Sequence, residues 1–493
     1  MNHPLVYEIN LRCWLRELSK EQGSKVMLGN VPASEFEKWQ RLGFTHVWLM
    51  GLWVTGPRSR ACSRNLPGLR KACREVMPDF SVVDILGSPF AVAGYEVARS
   101  LGGETGLKKF RERLAERGLK LILDFIPNHT GLDHAWLKDK PELFVQSQQA
   151  AKETFRQETA AGSRWIAHGK DPSFPAWIDT AQLDYRNPAT RAAMIGQLQA
   201  LTALCDGVRC DMAMLVMNEV FAATWSRFPS PWAMPETEFW PEAIRAIRQT
   251  RPEFLFFAEA YWDLEARLQE QGFDYTYDKR LYDYLISRNY PEVRRHLFAV
   301  SPEFLRASAH FLENHDERRV AAQLCRCEHQ VAALAMLGVP GLRLLHDGQL
   351  TGARHQISVH AGRRPEERPD PEITGWYEHV LTVLAHSAVG RGQSQIIRTH
   401  PAWGNNPTWQ DFVIIQWQGQ EAGFDLVVVN LAAHRSQCYA SLNATGLAEH
   451  NWKMQDLLGH EVYERRGDDL QIQGLYMDVP GHATQLFHFE PIG

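Results

Sequence analysis

No stretch of this sequence approaches the roughly 18 uninterrupted apolar residues of a membrane-spanning helix, so no span is expected. The N-terminal segment MNHPLVYEINLRCWL has neither a basic leader nor an apolar core behind it, and a secretory signal is not expected. The eight cysteines (Cys13, Cys62, Cys73, Cys205, Cys210, Cys325, Cys327, Cys438) include no C-x-x-C pair. Cys325 and Cys327 lack a second pair at zinc-ligand spacing. Free thiols in a reducing cytoplasm are the expectation. Positive charge is not in excess either: 53 Lys and Arg stand against 58 Asp and Glu, a formal −5. That removes the global field by which nucleic acid or an anionic membrane is held. Internal repeats and low-complexity tracts are absent. Aromatics are abundant, with 16 Trp beside 13 Tyr and 23 Phe. Their flat faces serve a core, a subunit interface or a ligand platform, and composition does not choose among these. Oligomeric state stays open.

The chain, at 493 residues, exceeds one ordinary domain. Apolar runs of strand length lie at 5–9, 45–49, 120–125, 207–211, 254–259, 273–277, 310–313 and 341–345. Between them come amphipathic patterns such as LKKFRERLAERG and WPEAIRAIRQT. Near-continuous apolar strands alternating with helices predict a parallel sheet covered on both faces, and eight such units fit a closed (β/α)8 TIM barrel. The barrel is assigned to residues 1–129 and 186–390. The segment 130–185, rich in Trp, Pro, Gly and Asp, is too long for one connection and reads as a small domain inserted after the third strand. The interval 53–95 reads as a folded loop, and 361–372 (AGRRPEERPDPE) as a solvated one. From 391 to 493, short alternating segments broken by Gly, Asn and Asp predict an antiparallel β-sandwich.

Several apolar strands run into acids and histidines. Asp124 precedes Asn128-His129, Arg209 and Asp211 share a strand face, Glu259 ends a fourth run, and Glu313-Asn314-His315-Asp316 ends another. A lone acid at a strand end is ordinarily a helix cap, and Arg209 alone reads as a partner for Asp124. Acids from several strands at one barrel mouth have no such explanation, because buried charges cost several kcal/mol unless paired. Two carboxylates in different environments suit glycoside hydrolysis. Arg209 would keep Asp211 ionised as a nucleophile. Asp211 and Asp316 would hold a proton on Glu259, the general acid. Asp316, His129 and His315 are left to bind sugar hydroxyls.

With those residues in view, DFIPNH (124–129), GVRCDMAML (207–215), AEAYW (258–262) and FLENHD (311–316) resemble, in order and spacing, the four signature regions of the α-amylase superfamily, glycoside hydrolase family 13. The resemblance covers essentially the whole chain, including the inserted and C-terminal domains. It implies Asp211 as nucleophile, Glu259 as acid/base and Asp316 as transition-state stabiliser, with retention at the anomeric carbon. Arg209, His129 and His315 carry over as groups around the sugar in the −1 subsite, and Asp124 is assigned to substrate binding beside them. Tyr95, in GSPFAVAGY, is similar to the tyrosine that stacks on that sugar. No cofactor is required, although the family's structural calcium would take Asn128, with Asp179 and Asp184 as guesses. Met214 and Leu215 replace the Lys-His common in the second region, and the Asp- and Gly-rich calcium loop after strand one is absent.

The expected function is a cytoplasmic α-glycosidase acting on maltodextrins or short α-gluco-oligosaccharides, with no nucleic-acid or membrane partner. A transglycosylase of glucanotransferase or trehalose-forming type is the alternative, because transfer and hydrolysis use the same acids. A non-catalytic relative is disfavoured by the retention of all three carboxylates. A barrel metalloenzyme using Asp124, His129, Asp211, Glu259 and His315 is the third reading. Trp48, Trp53 and Trp225 read as core; Trp165, Trp177, Trp232, Trp240 and Trp262 lie in loops or past strand ends, where a sugar platform is expected.

Overall fold

The computed structural model describes residues 3–160, 162–419 and 423–492. Eight parallel strands close a barrel: β1 (Leu5–Asn10), β2 (His46–Met50), β3 (Lys120–Phe125), β4 (Gly207–Cys210), β5 (Leu255–Ala258), β6 (Tyr275–Tyr277), β7 (Ser308–His310) and β8 (Leu342–His346). Each pairs with the next in chain order, and β8 returns to β1 with Leu5 beside Arg343. Side chains alternate across each strand, so every second residue faces the barrel interior. Val6, Trp48, Ile122, Phe257, Tyr277, Leu342 and Leu344 fill that interior as one apolar cluster. Two residues further on, the chain that carried Val6, Ile122 and Phe257 carries Glu8, Asp124 and Glu259. Register places Arg209 beside both Asp124 and Phe257. The apolar plug therefore ends where the polar residues begin, at the carboxyl ends of the strands.

The seventh strand lies earlier than 310–313, because its ladder ends at His310. The apolar Phe311 and Leu312 stay buried but leave the sheet, and Glu313 then fixes the following loop. Its carboxylate takes Arg319 Nη1 at 2.6 Å and the Val320 N–H at 2.7 Å. The interval 53–95 is more regular than a loop. A hairpin pairs Trp53–Thr55 with Val92–Val97, and two helices, Pro57–Arg64 and Pro67–Val76, each start with proline in the first turn. Proline is favourable there because its missing N–H would have no helical partner. The stretch 361–372 is not simply solvated. Arg364 pairs with Glu17 and with Asp347, and Arg363 with Asp79 and Asp84, which straps this segment to the mouth side of the barrel.

After β3, His129–Gly131 pairs antiparallel with Thr180–Gln182, and between them Gln146–Ser147, Thr154–Thr159 and Gly162–Ala167 make a three-stranded sheet. At the C-terminal end a six-stranded and a three-stranded antiparallel sheet enclose their own core, which includes Phe412, Phe424, Leu475 and Phe489. The six-stranded sheet docks on the barrel through Trp417, whose indole N–H donates to Gly338 O at 2.9 Å. Ile415 and Val427 crowd the same glycine, leaving no room there for a side chain. Among the described residues no helix is long and apolar enough to cross a membrane.

Candidate active site

Arg209 organises the mouth of the barrel. Fully buried, its guanidinium donates from Nη1 to Asp211 Oδ1 at 2.7 Å and from Nη2 to Glu259 Oε2 at 2.6 Å. Asp124 Oδ1 is 3.8 Å away and also accepts the Trp48 indole N–H at 3.1 Å. Glu259 takes two more donors: the Met212 N–H on Oε2 at 2.8 Å and the Tyr261 hydroxyl on Oε1 at 2.9 Å. Met212 reaches that position only in the left-handed region, at φ 43°, an uncommon conformation for a residue with a side chain. Strain next to Asp211 thus delivers a backbone donor to Glu259.

A second cation sits opposite. His315 Nδ1 is 2.5 Å from Glu8 Oε1, and its Nε2 is 3.0 Å from Asp316 Oδ2. Desolvation works to neutralise this imidazole, but Asp316 and Glu8 outweigh it and hold its pKa well above the usual range. Desolvation likewise opposes ionisation of Asp316, and the adjacent His315 charge prevails, holding that carboxyl below its usual value. Burial pushes Glu259 up to about 7, against the pull of Arg209 and with the push of Asp211 and Asp316. Burial also pushes Asp124 up to about 7. It raises Asp211 as well, with Arg209 opposing, so the arginine does not keep Asp211 at an ordinary aspartate value. Burial is the first cause, and charge balance adds to it, because Asp124, Asp211 and Glu259 share the one Arg209 guanidinium. The surplus is relieved by protons, and Glu259 is one holder.

His129 is buried, with its ring 5.2 Å from Trp177, and burial pushes it down to about 4, so it is neutral. Tyr95 is held by its hydroxyl at the end of β3. Its hydroxyl accepts the Ile126 N–H at 2.8 Å and donates to Ile126 O at 3.2 Å, and its ring packs on Trp53 and Phe125, so it braces the end of β3. The aromatic face beside the cations is Phe90, 5.3 Å from the Arg209 guanidinium and 5.4 Å from the His315 ring. Phe90 stands in the same GSPFAVAGY segment, and the signal overlooked was an aromatic directly behind a proline. Glu8, too, was legible as a lone carboxylate inside an apolar strand. Trp48, Trp53 and Trp225 are core as expected; Trp240 is core as well, its indole donating to Ala213 O at 2.8 Å. Trp262, three residues past Glu259, is 42% exposed.

The residues proposed for calcium do not fit a cation. Asn128 Oδ1 accepts from Gln182 Nε2 at 2.9 Å. Asp184 is held by Arg186 through two bonds, at 2.8 and 2.9 Å, so a protein cation already balances it. Asp179 faces the Ser63 hydroxyl. Among the described residues no group of three His, Cys, Asp or Glu side chains is arranged to hold a metal ion.

Paired carboxyls with different proton affinities, at the carboxyl ends of a (β/α)8 barrel, are the apparatus of a glycoside hydrolase. The family model described as alpha amylase, catalytic domain, matches residues 90–444, and the chain belongs to the alpha-amylase family. Among curated proteins it is similar to alpha-amylase MalA of Haloarcula japonica, 24% identical over 266 residues that make up 53% of this chain and 36% of that one. It is also similar to a probable oligo-1,6-glucosidase 2 of Bacillus subtilis, 25% identical over 179 residues, 31% of each chain. These matches span about a third of each relative's length. A noncanonic maltogenic alpha-amylase AmyB from Thermotoga neapolitana shares the fold with a TM-score of 0.69 and 19% identity over 99% of both chains. A Bacillus licheniformis trehalose-6-phosphate hydrolase does so with 0.64 and 13%, again over 99% of both.

Proposed function

We propose that this protein is a retaining α-glycosidase that cleaves α-glucosidic bonds of maltodextrins or short α-gluco-oligosaccharides through a covalent glycosyl-enzyme. The observation that carries this reading is the Arg209 clamp, which binds Asp211 and Glu259 while Glu259 retains its proton to about 7. Asp211 attacks the anomeric carbon, and Glu259 gives its proton to the departing glycosidic oxygen. Glu259, now ionised, takes a proton from water as that water breaks the ester to Asp211. Asp316, ionised beside the His315 cation, stabilises positive charge developing on the ring. Phe90 offers its face to the sugar, His129 and Asp124 bind its hydroxyls, and Trp262 provides an exposed platform beyond the cleavage point. The cysteines resolved as free thiols, five of them buried, suit a reducing cytoplasm.

The test is acid quenching of Glu259→Gln after reaction with an α-glucosyl fluoride, followed by mass spectrometry of the peptides. A glucosyl adduct on the peptide containing Asp211 is expected; an adduct elsewhere, or none, refutes the assignment. Products from maltotriose then separate the two outcomes of the second step. Glucose and maltose alone mean hydrolysis, whereas saccharides longer than maltotriose mean transfer to a sugar hydroxyl.

A further inference from the structure

Behind the loop that carries Phe90 lies a cavity of about 540 Å³ that none of the three catalytic acids lines. Four arginines line it: Arg12 and Arg16 from the helix Leu11–Glu21, Arg60 from the helix Pro57–Arg64, and Arg99 from the turn Arg99–Leu101. No Asp or Glu does. Arg12 is only 9% exposed, and its Nη1 donates to Gly87 O at 2.6 Å. Arg60 Nε donates to Leu86 O at 3.2 Å. Among the described residues neither of these, nor Arg99, has a carboxylate within 4.0 Å, and Arg16 has only Asp84, at 3.6 Å. The buried Arg186, Arg191, Arg209 and Arg319 are each bonded to at least one acid, whereas among the described residues Arg343, outside the cavity, shares with Arg12 the lack of one. Burial, with Arg60 adding to it, pushes Arg12 down to about 10.

A desolvated guanidinium with no counter-ion is unfavourable, and a second one close by makes it worse. Carbonyl oxygens satisfy single N–H groups here but supply no net charge. A guanidinium presents five donors in a planar fork, which matches the oxygens of a phosphate better than any neutral group. The remaining wall includes the half-buried Val54 and Leu101, an apolar side for a carbon skeleton. The volume falls in the range of small-molecule sites, about 300–1,000 Å³.

We propose that this cavity is a binding site for a phosphate monoester of hexose size, separate from the catalytic acids. The phosphate dianion lies among Arg12, Arg16, Arg60 and Arg99, and the hexose lies against Val54 and Leu101. The site goes beyond the glycosidase reading and does not depend on it.

The test is calorimetric titration of the full-length protein with glucose 6-phosphate, inorganic phosphate and glucose, at an ionic strength matched with chloride. Saturable binding of glucose 6-phosphate is expected, with inorganic phosphate weaker and glucose undetected. Arg16→Gln and Arg99→Gln, both at exposed positions, are expected to weaken the phosphate ester tenfold or more together, and Arg12→Gln by at least as much. Because Arg12 is buried, the two exposed variants decide the question if Arg12→Gln fails to fold. Binding no tighter than that of chloride, or affinity unchanged in the Arg16→Gln and Arg99→Gln double variant, overturns the site. Equal affinity for inorganic phosphate overturns the hexose part of the assignment.

Discussion

Glu8 on the first strand and His315 after the seventh are joined by a hydrogen bond of 2.5 Å, so the His315–Asp316 pair is anchored from two strands round the barrel. Glu8 reaches no substrate on this geometry and acts through the imidazole. Glu8→Gln keeps the shape and removes one of the two charges that hold His315 cationic. The His315 pKa falls, and above it Asp316 loses its counter-charge. A kcat loss on the order of tenfold to a hundredfold is expected, with KM changed much less, because the lost stabilisation belongs to the transition state. The pH profile distinguishes this from general damage: Glu8→Gln should fall off more steeply on the basic side, where loss of the His315 charge adds to loss of the Glu259 proton, and a purely structural defect would scale the whole profile instead.

The wild-type profile follows from the two acids on Arg209. Glu259 must be protonated to act as an acid, and burial holds it at about 7, so activity should decline as pH rises through that value. Asp211 must be ionised, and burial raises it, so the acidic limb should lie above the ordinary aspartate range. The two groups share one arginine, so the limbs belong to the pair. Measuring kcat/KM on maltotriose from pH 4 to 9 checks both. A flat profile between pH 6 and 8 would contradict the assignment of Glu259.

The same shift carries a stability consequence. Glu259 binds its proton more tightly when folded, at about 7, than at its ordinary 4.5. The linked stability is intact below pH 4.5 and is lost as pH rises towards 7. Glu259→Gln removes a charge that folding must bury. It should therefore be more stable than wild type at pH 8, by up to about 3 kcal/mol, with the gap closing below pH 4.5. Thermal melts of both proteins at the two pH values give the comparison; a less stable Glu259→Gln at pH 8 would show that the Arg209 pairing outweighs the burial.

Residues close in sequence were the legible part of this site. Asp124, Arg209, Asp211 and Glu259 lie at or just past the ends of apolar strands, where alternation points them to one mouth, and His315 and Asp316 follow the seventh strand by a short loop. What the sequence hid depends on distant pairing. Glu8 acquires its meaning from a residue 307 positions away. Trp48 was read as core and is core, yet its indole edge also bonds Asp124. Tyr95 and Phe90 lie in one short segment, and which ring faces the centre depends on where the Ile126 backbone offers a partner for a hydroxyl. The two helices within 53–95 were hidden because their capping prolines look like loop residues until a helix is seen to start at them.

Phe90 has no hydroxyl to hydrogen-bond, so its contribution is its face. Phe90→Ala should reduce kcat/KM on maltotriose by about tenfold to a hundredfold, in line with loss of an aromatic contact and exposure of the Arg209 and His315 cations to water. Phe90→Tyr should retain most activity. Tyr95→Phe should act differently: it breaks the pair of bonds to Ile126, and should lower the melting temperature more than it lowers turnover. Equal activity losses in Phe90→Ala and Tyr95→Phe, with no change in melting temperature, would return Tyr95 to the site.

Asp184 and Arg186 stand where a calcium ion was expected to bind, and their mutual bonds satisfy both charges inside the protein. Arg186 also donates from Nη1 to Phe228 O at 2.9 Å, tying the inserted region to the barrel. Extensive dialysis against a chelator should therefore leave the melting temperature and the maltotriose rate unchanged. Arg186→Met should be severely destabilising, by about 3–5 kcal/mol, because it strands Asp184 as an unpaired buried charge. Adding Asp184→Asn to that variant should recover a good part of the loss, since the stranded charge is gone. A drop in melting temperature on chelation, reversed by calcium, would overturn this arrangement.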